Sequence, residues 1–232
     1  MPVTRILHNA GNISVGQRTP ESAPQSAAAN IDALRMLARH PAVDAIEADV
    51  WVHGGVLLAH HERPLGPLPF LLGRGGFRRR SDAPLLATII ESTAGQADLV
   101  IDLRSWLGDP VPDLARVLRN NEVRAHTRVT CEDWSIADQV QAWMPDVPVA
   151  YSIRSEAHLR AYLAGRDAGR LPETAVAIRH TLLHTPDEVA LLRERAGRIN
   201  AWTVDDTDRA LELVSWGIDE ITSNYVTVLN AL

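Results

Sequence analysis

Residues 46–65 read IEADVWVHGGVLLAHHERPL. From Ile46 to Val50 two acids, Glu47 and Asp49, interrupt an apolar run, and a second run, GVLLAHH, ends on His60 and His61. Side chains two apart on a strand lie on the same side, so both carboxylates are presented together. Like charges held this close in an apolar setting are costly without a cation or a shared proton. The stretch therefore predicts a strand that delivers a polar site at its C-terminal end.

The rest of the chain extends this pattern. Runs rich in Val, Ile and Thr predict strands at 3–8, 43–50, 97–103, 127–131, 147–152, 174–179, 198–204 and 218–222. Helical periodicity falls between them at 30–39, 84–93, 111–120, 135–144, 156–165, 186–196 and 206–216, with a short segment near 225–232. Thr185-Pro186-Asp187-Glu188 has the hydroxyl, proline and acids of a helix start. Strand then helix, eight times in 232 residues, predicts an α/β fold of the (β/α)8 TIM-barrel type, with a doubly wound open sheet as the main competitor. No linker separates domains, so one barrel domain is expected over 1–232, with enlarged connections at about 9–29 and 51–83. Both leave the C-terminal ends of strands, the face where barrels carry their sites.

Composition narrows the function. With 46% apolar and 22% charged residues this is ordinary globular usage, and a net charge of −6 gives no basic face for nucleic acid. The one dense basic cluster is RGGFRRR at 74–80. A single cysteine, Cys131, excludes an internal disulfide and a cysteine-built zinc site. No apolar run reaches the roughly 18 to 20 residues of a membrane span, no amphipathic helix suggests a stable membrane anchor, and the first residues lack a signal-peptide pattern. A cytoplasmic location is the expectation. All 23 basic residues are arginine, and nothing in the sequence indicates an oligomeric state.

Asp102 ends the third apolar run, LVIDLR, where a neighbouring barrel strand brings it alongside Glu47 and Asp49. Three carboxylates and water make an oxygen site suited to a divalent cation, Mg2+ or Ca2+, rather than zinc or copper. His8 and the His60-His61 pair fall at matching strand ends, and two imidazoles flanking a cation can act as general base and general acid. Each feature alone has a plainer explanation: a surface acid pair, a polar strand terminus, a local Asp102–Arg104 ion pair, a solvated arginine loop. Their common position, in the order His, Glu-x-Asp, His, Asp, points instead to phosphodiester cleavage.

At these residues the sequence resembles the glycerophosphodiester phosphodiesterases, a (β/α)8 family among the phospholipase-C-like phosphodiesterase barrels. His8-Asn9-Ala10-Gly11 stands for that family's H-R-G, and Ile46-Glu47-Ala48-Asp49-Val50 for its I-E-x-D-V. Gly55-Val56-Leu57-Leu58-Ala59-His60-His61 matches its G-V-x-V-V-x-H in a register that selects His61 over His60, and Asp102-Leu103-Arg104 stands for its E-x-K. Trp202-Thr203-Val204-Asp205 is similar to W-T-V-N, and the stretch from Gly217 to Asn224 to a closing G-V-D-x-I-x-T-D.

The resemblance implies His8 and His61 as catalytic residues, Glu47, Asp49 and Asp102 as metal ligands, and Arg104, Trp202 and Asn9 at the substrate. It implies a small phosphodiester substrate cleaved to glycerol phosphate and an alcohol. The departures matter as well. The family's phosphate-binding arginine is Asn9 here, its E-N-T corresponds to Ala29-Asn30-Ile31, and Arg104 replaces a lysine without being able to lose a proton. Some features are closer to the sphingomyelinase D-like branch, so a phospholipase D-like enzyme on lysophospholipids is one alternative. A catalytically inactive binding barrel is another.

Overall fold

Opposite faces of β-strands meet opposite environments in this protein, and that division shapes the molecule. The computed structural model describes residues 2–10, 27–66, 68–73, 76–105, 108–169 and 174–232. In chain order the strands are β1 (Thr4–Leu7), β2 (Ala45–His53), β3 (Val56–Ala59), β4 (Arg63–Pro64), β5 (Phe70–Gly73), β6 (Gly76–Arg79), β7 (Asp98–Arg104), β8 (Thr127–Cys131), β9 (Val149–Ile153), β10 (Ala175–Arg179), β11 (Ile199–Trp202) and β12 (Glu220–Ser223). The helices are α1 (Ala27–Ala38), α2 (Leu86–Thr93), α3 (Val111–Val117), α4 (Asn121–Ala125), α5 (Trp134–Trp143), α6 (Glu156–Asp167), α7 (Pro186–Arg193), α8 (Thr207–Ser215) and α9 (Val226–Leu229). Strands β1, β2 and β7 to β12 are parallel, and pairing of β1 with both β2 and β12 closes them into a barrel. Each expected strand overlaps one of these eight, so the closed (β/α)8 barrel is realised and the open sheet is not.

Along β2 and β7, Ile46, Ala48, Val50, Leu99, Ile101 and Leu103 join the large core shared with helix residues such as Leu34, Ile89 and Leu114. The other parity faces the barrel interior, where Ile6, Ala45 and Val100 form a separate small apolar cluster. Ala150, Ala175 and Ala177 share this parity on β9 and β10, and most of the other interior positions are polar. Thr222 Oγ1 donates to Asn200 Oδ1 at 3.0 Å, and Arg128 on β8 bonds Glu220 on β12. These two strands are not neighbours in the sheet, so the ion pair crosses the lumen. Arg198 joins it, with Nε 2.5 Å from Glu220 Oε1 and Nη2 donating to Thr4 Oγ1 at 2.8 Å. Three strands and the run into β11 are thereby tied at the N-terminal end of the barrel, away from the carboxylates of β2.

The elements differ from expectation in three places. Strand β2 runs on to His53 because it turns through Gly54 and Gly55, at φ +57° and +83°, into antiparallel pairing with β3. The expected helix at 111–120 stops at Val117 and is followed by the short α4, capped by Asn120 Oδ1 accepting from Glu122 N at 2.9 Å. Residues 63–79, expected to be loop, contain the antiparallel sheet β4–β5–β6. Leu71 supplies the reason: it is fully buried against Leu58 and Ala83, which anchors an otherwise glycine- and arginine-rich hairpin. Residues 11–26 of the expected connection at 9–29 lie outside the described residues, as do the side chains of Ala29 and Asn30. At α7 the predicted start is realised as a capping box, Thr185 Oγ1 accepting from Glu188 N at 3.3 Å and Glu188 from Thr185 N at 3.1 Å. Among the described residues no helix is long and apolar enough to cross a membrane.

Because Glu220 is buried and holds two arginines, Glu220→Ala leaves Arg128 without its cross-lumen partner. Removing one member of such a buried pair costs about 3 kcal/mol. Urea unfolding should register that loss, while removal of the exposed side chain of Glu122 should change stability by less than about 0.5 kcal/mol.

Candidate active site

Strand register brings the acids together. Asp49 on β2 pairs with Asp102 on β7, and Trp51 with Arg104, so all four lie at the C-terminal end of adjacent strands. The Arg104 guanidinium sits between the carboxylates, its Nη2 2.7 Å from Asp49 Oδ1 and 2.6 Å from Asp102 Oδ2. Thr130 Oγ1 lies 3.4 Å from the other Asp102 oxygen. Glu47, one interior position deeper, accepts a hydrogen bond of 2.8 Å from the backbone N–H of Asn9. Asn9 holds φ +71°, a conformation asparagine tolerates better than most residues, and this turns its amide toward Glu47. Its own side-chain oxygen is buried without a hydrogen bond.

Burial pushes the Glu47 carboxyl well above the usual range, and the charges of Asp49 and Asp102 add to the shift. Asp102 is pushed up to about 7, again by burial first, with Arg104 opposing and Asp49 reinforcing. For Arg104, burial disfavours the charge but is outweighed by Asp102, Asp49 and Glu47, so the guanidinium is held more firmly charged. Even with Arg104 in place, three ionised acids leave an excess of two negative charges.

These residues fit a hard divalent cation. Both oxygens of Asp49 are buried, Oδ1 in ion-pair contact with Arg104 and Oδ2 accepting no hydrogen bond among the described residues, and ligand atoms of His8, Glu47 and Asp49 lie within 4.8 Å of one another. Asp102 stands beside this group, with one oxygen engaged by Arg104.

The imidazoles reach the same mouth from different elements. His8 follows β1, with Nε2 3.5 Å from Glu47 Oε2. Its Nδ1 is 2.9 Å from Asn224 Oδ1, and the Asn224 amide nitrogen donates to Asp205 Oδ2 at 2.7 Å. The second Asp205 oxygen accepts from the Asn224 backbone N–H at 2.9 Å and from Ser223 Oγ at 3.2 Å. With its NH2 engaged by Asp205, Asn224 presents an oxygen that can only accept, so His8 carries a proton on Nδ1. His61 is exposed, and its ring centroid is 6.3 Å from that of His8 in an edge-to-face arrangement. Trp202 ends β11, half-buried, on the same face.

His60 is placed differently. It is fully buried, stacked on Trp51 at 5.9 Å, with Nδ1 2.9 Å from the carbonyl oxygen of Glu62 and Nε2 2.9 Å from His53 Nε2. A carbonyl only accepts, so His60 donates from Nδ1 and accepts at Nε2 from His53, whose Nδ1 then faces Arg80 Nη1 at 3.4 Å. This chain from Arg80 to Glu62 holds the loop that carries His61. The sequence reading assigned no role to His53, Asp205 or Asn224. The last two stood in recognisable motifs, but their use depends on barrel closure bringing residues 216 apart into contact.

Among solved structures the chain is similar to a phosphodiesterase from Oleispira antarctica in complex with the product sn-glycerol-3-phosphate, with TM-score 0.70 and 13% identity over 99% of this chain and 96% of the other. A glycerophosphodiester phosphodiesterase from Agrobacterium tumefaciens has TM-score 0.66 and 17% identity, covering 99% and 98%. One from Thermotoga maritima has TM-score 0.66 and 14% identity, again covering 99% and 98%. No protein-family model matches the chain, and no curated protein matches it in sequence. The protein thus has the (β/α)8 fold of the glycerophosphodiester phosphodiesterase structures, over almost its whole length.

Burial, followed by Arg80, depresses His53 to about 4, below its ordinary value of 6.5. A depressed folded-state value means that its contribution to stability is complete above pH 6.5 and is lost as pH falls toward 4. Protonation would place a second N–H against Arg80. Relative to His53→Gln, the wild type should lose unfolding free energy across that window, read by denaturant titration at stepped pH.

Proposed function

We propose that the protein is a metal-assisted phosphodiester hydrolase that cleaves small glycerophosphodiesters to glycerol phosphate and an alcohol. The observation that carries this reading is the approach of His8 and His61, ring centroids 6.3 Å apart, beside a buried carboxylate cluster. In support of base action by His8, its Nδ1 proton is committed to Asn224, which leaves Nε2 as the basic atom. His8 Nε2 takes the proton from the attacking oxygen, and His61 delivers one to the departing alkoxide. The attacking oxygen belongs to water or, as the phospholipase-C-like resemblance implies, to a neighbouring hydroxyl of the substrate. In the second case expulsion of the alcohol leaves a cyclic phosphate, which water then opens to glycerol phosphate, with His61 taking the proton of the water and His8 returning one to the released hydroxyl.

Glu47 and Asp49, with Asp102 beside them, would hold Mg2+ or Ca2+, which supplies charge stabilisation to the phosphoryl oxygens. Arg104 balances Asp49 and Asp102 and adds positive charge close to the phosphate. Trp202 offers an apolar wall to the alcohol, and Asn9 orients Glu47 through its main chain. The similar Oleispira antarctica phosphodiesterase holds sn-glycerol-3-phosphate as its product, which supports glycerol phosphate as the product here. A non-catalytic barrel would leave the two opposed imidazoles without a task.

His8→Ala and His61→Ala should each lower hydrolysis of bis-p-nitrophenyl phosphate by about 10²- to 10⁴-fold. EDTA should abolish it until Mg2+ or Ca2+ is restored. Activity indifferent to both treatments sinks the reading.

The Asp205–Asn224 pair reverses the order of the family's Asn and Asp, which gives a second test. Asn224→Asp sets two carboxylates against each other and should cost activity, whereas Asp205→Asn combined with Asn224→Asp should recover much of it. Failure of the double exchange to exceed the single variant would exclude this pair as the support of His8.

A further inference from the structure

The β4–β6 sheet is two-faced, and among the described residues one face packs on the barrel while the other is exposed. Leu71 packs down on Leu58 and Ala83. Paired residues share a face, and the register aligns Phe70 with Arg79, Leu72 with Phe77 and Arg63 with Leu72. All five residues are exposed, with Phe70 at 40%, Leu72 at 44% and Phe77 at 73%. The outer face is therefore three large apolar side chains between two arginines.

This is not scattered surface hydrophobicity. Of the ten large apolar residues exposed among the described ones, six lie between Val56 and Leu85. At the Phe70–Arg79 end the face continues into a basin of about 670 Å3 with Val56 and Leu85 among its walls and Arg80 and His53 on its polar side. Between residues 62 and 82, five arginines accompany two acids, a local excess of positive charge in a chain whose net charge is −6. Strand β4 follows His61 and Glu62 directly, so the face adjoins the candidate active-site rim.

We propose that this outer face docks on an anionic phospholipid surface, the apolar side chains entering the interfacial region while the arginines meet lipid phosphates. Charge complementarity selects this occupant. A second copy applied by a two-fold axis would set the arginine-flanked patch against itself, like charge toward like charge. The apolar ridge also sets the face apart from an arginine patch built for polyphosphate alone. Docking of this kind is peripheral and reversible, and it requires no spanning helix. It stands independently of which diester is cleaved.

The test is co-sedimentation of the full chain with phosphatidylcholine vesicles containing or lacking phosphatidylglycerol. Binding to the anionic vesicles is expected, falling as salt rises. Leu72→Ser with Phe77→Ser should lower the partition at least about tenfold. Arg63→Ser with Arg79→Ser should lower it about 30-fold, at roughly 1 kcal/mol for each arginine. Both variants should keep the wild-type urea midpoint and the wild-type rate on bis-p-nitrophenyl phosphate, which separates lipid docking from the hydrolytic reading. Absence of wild-type sedimentation overturns the proposal, as does binding to neutral and anionic vesicles alike without salt dependence. So does a concentration-dependent dimer that the same substitutions dissolve. If a variant does not fold, the salt and lipid dependence of the wild type still decides.

Discussion

The Arg104 guanidinium between Asp49 and Asp102 is the contact on which the mouth of the barrel depends. Three carboxylates on two adjacent strands repel one another, and burial raises the free energy of their ionised forms further. One fixed cation reduces that repulsion without filling every oxygen, and Asp49 is left with buried lone pairs that accept no hydrogen bond. A single guanidinium nitrogen, Nη2, makes both contacts and so links the two strands. The lost alternative is proton transfer: a guanidinium this firmly charged cannot exchange a proton, and in the proposed reaction the acid–base work is given to the histidines.

The barrel interior separates stability from chemistry by depth. At the N-terminal end, Arg128 and Arg198 complete the charge of Glu220. At the C-terminal end, the acids exceed the cations. The small apolar layer of Ile6, Ala45 and Val100 lies among interior positions that are mostly polar or alanine. The two ends obey the same electrostatics and differ in the sign of the excess, two guanidiniums on one carboxylate at the first and three carboxylates around one guanidinium at the second, so a divalent cation is reasonable only at the second.

Much of this was legible in the sequence because strand parity is a local property. Glu47 and Asp49 had to share a face once residues 46–50 were extended, and the apolar residues between them had to meet the helices. The β4–β6 sheet was hidden for the opposite reason: glycine and arginine composition argued for a loop, and the one residue that organises it, Leu71, carries no local signal of its long-range burial. The support of His8 by Asn224 and Asp205 was likewise unreadable, since it exists only when the first and last strands of the barrel pair. Sequence spacing located the candidate acids and histidines, while the contact that sets the tautomer of His8 required closure.

The two histidines of the opening motif show how closure divides similar residues. His60 points into a stack with Trp51 and completes a donor–acceptor chain that begins at Arg80, while its neighbour His61 projects outward toward His8. Adjacent residues on an extended segment alternate sides, so one of the pair had to be structural if the other was to reach the mouth. The same chain runs through Arg80, at the edge of the arginine-rich hairpin, so the element proposed to meet lipid also braces the loop of the proposed catalytic acid. Arg80 and the loop of His61 are thereby linked through His53 and His60 by three hydrogen bonds.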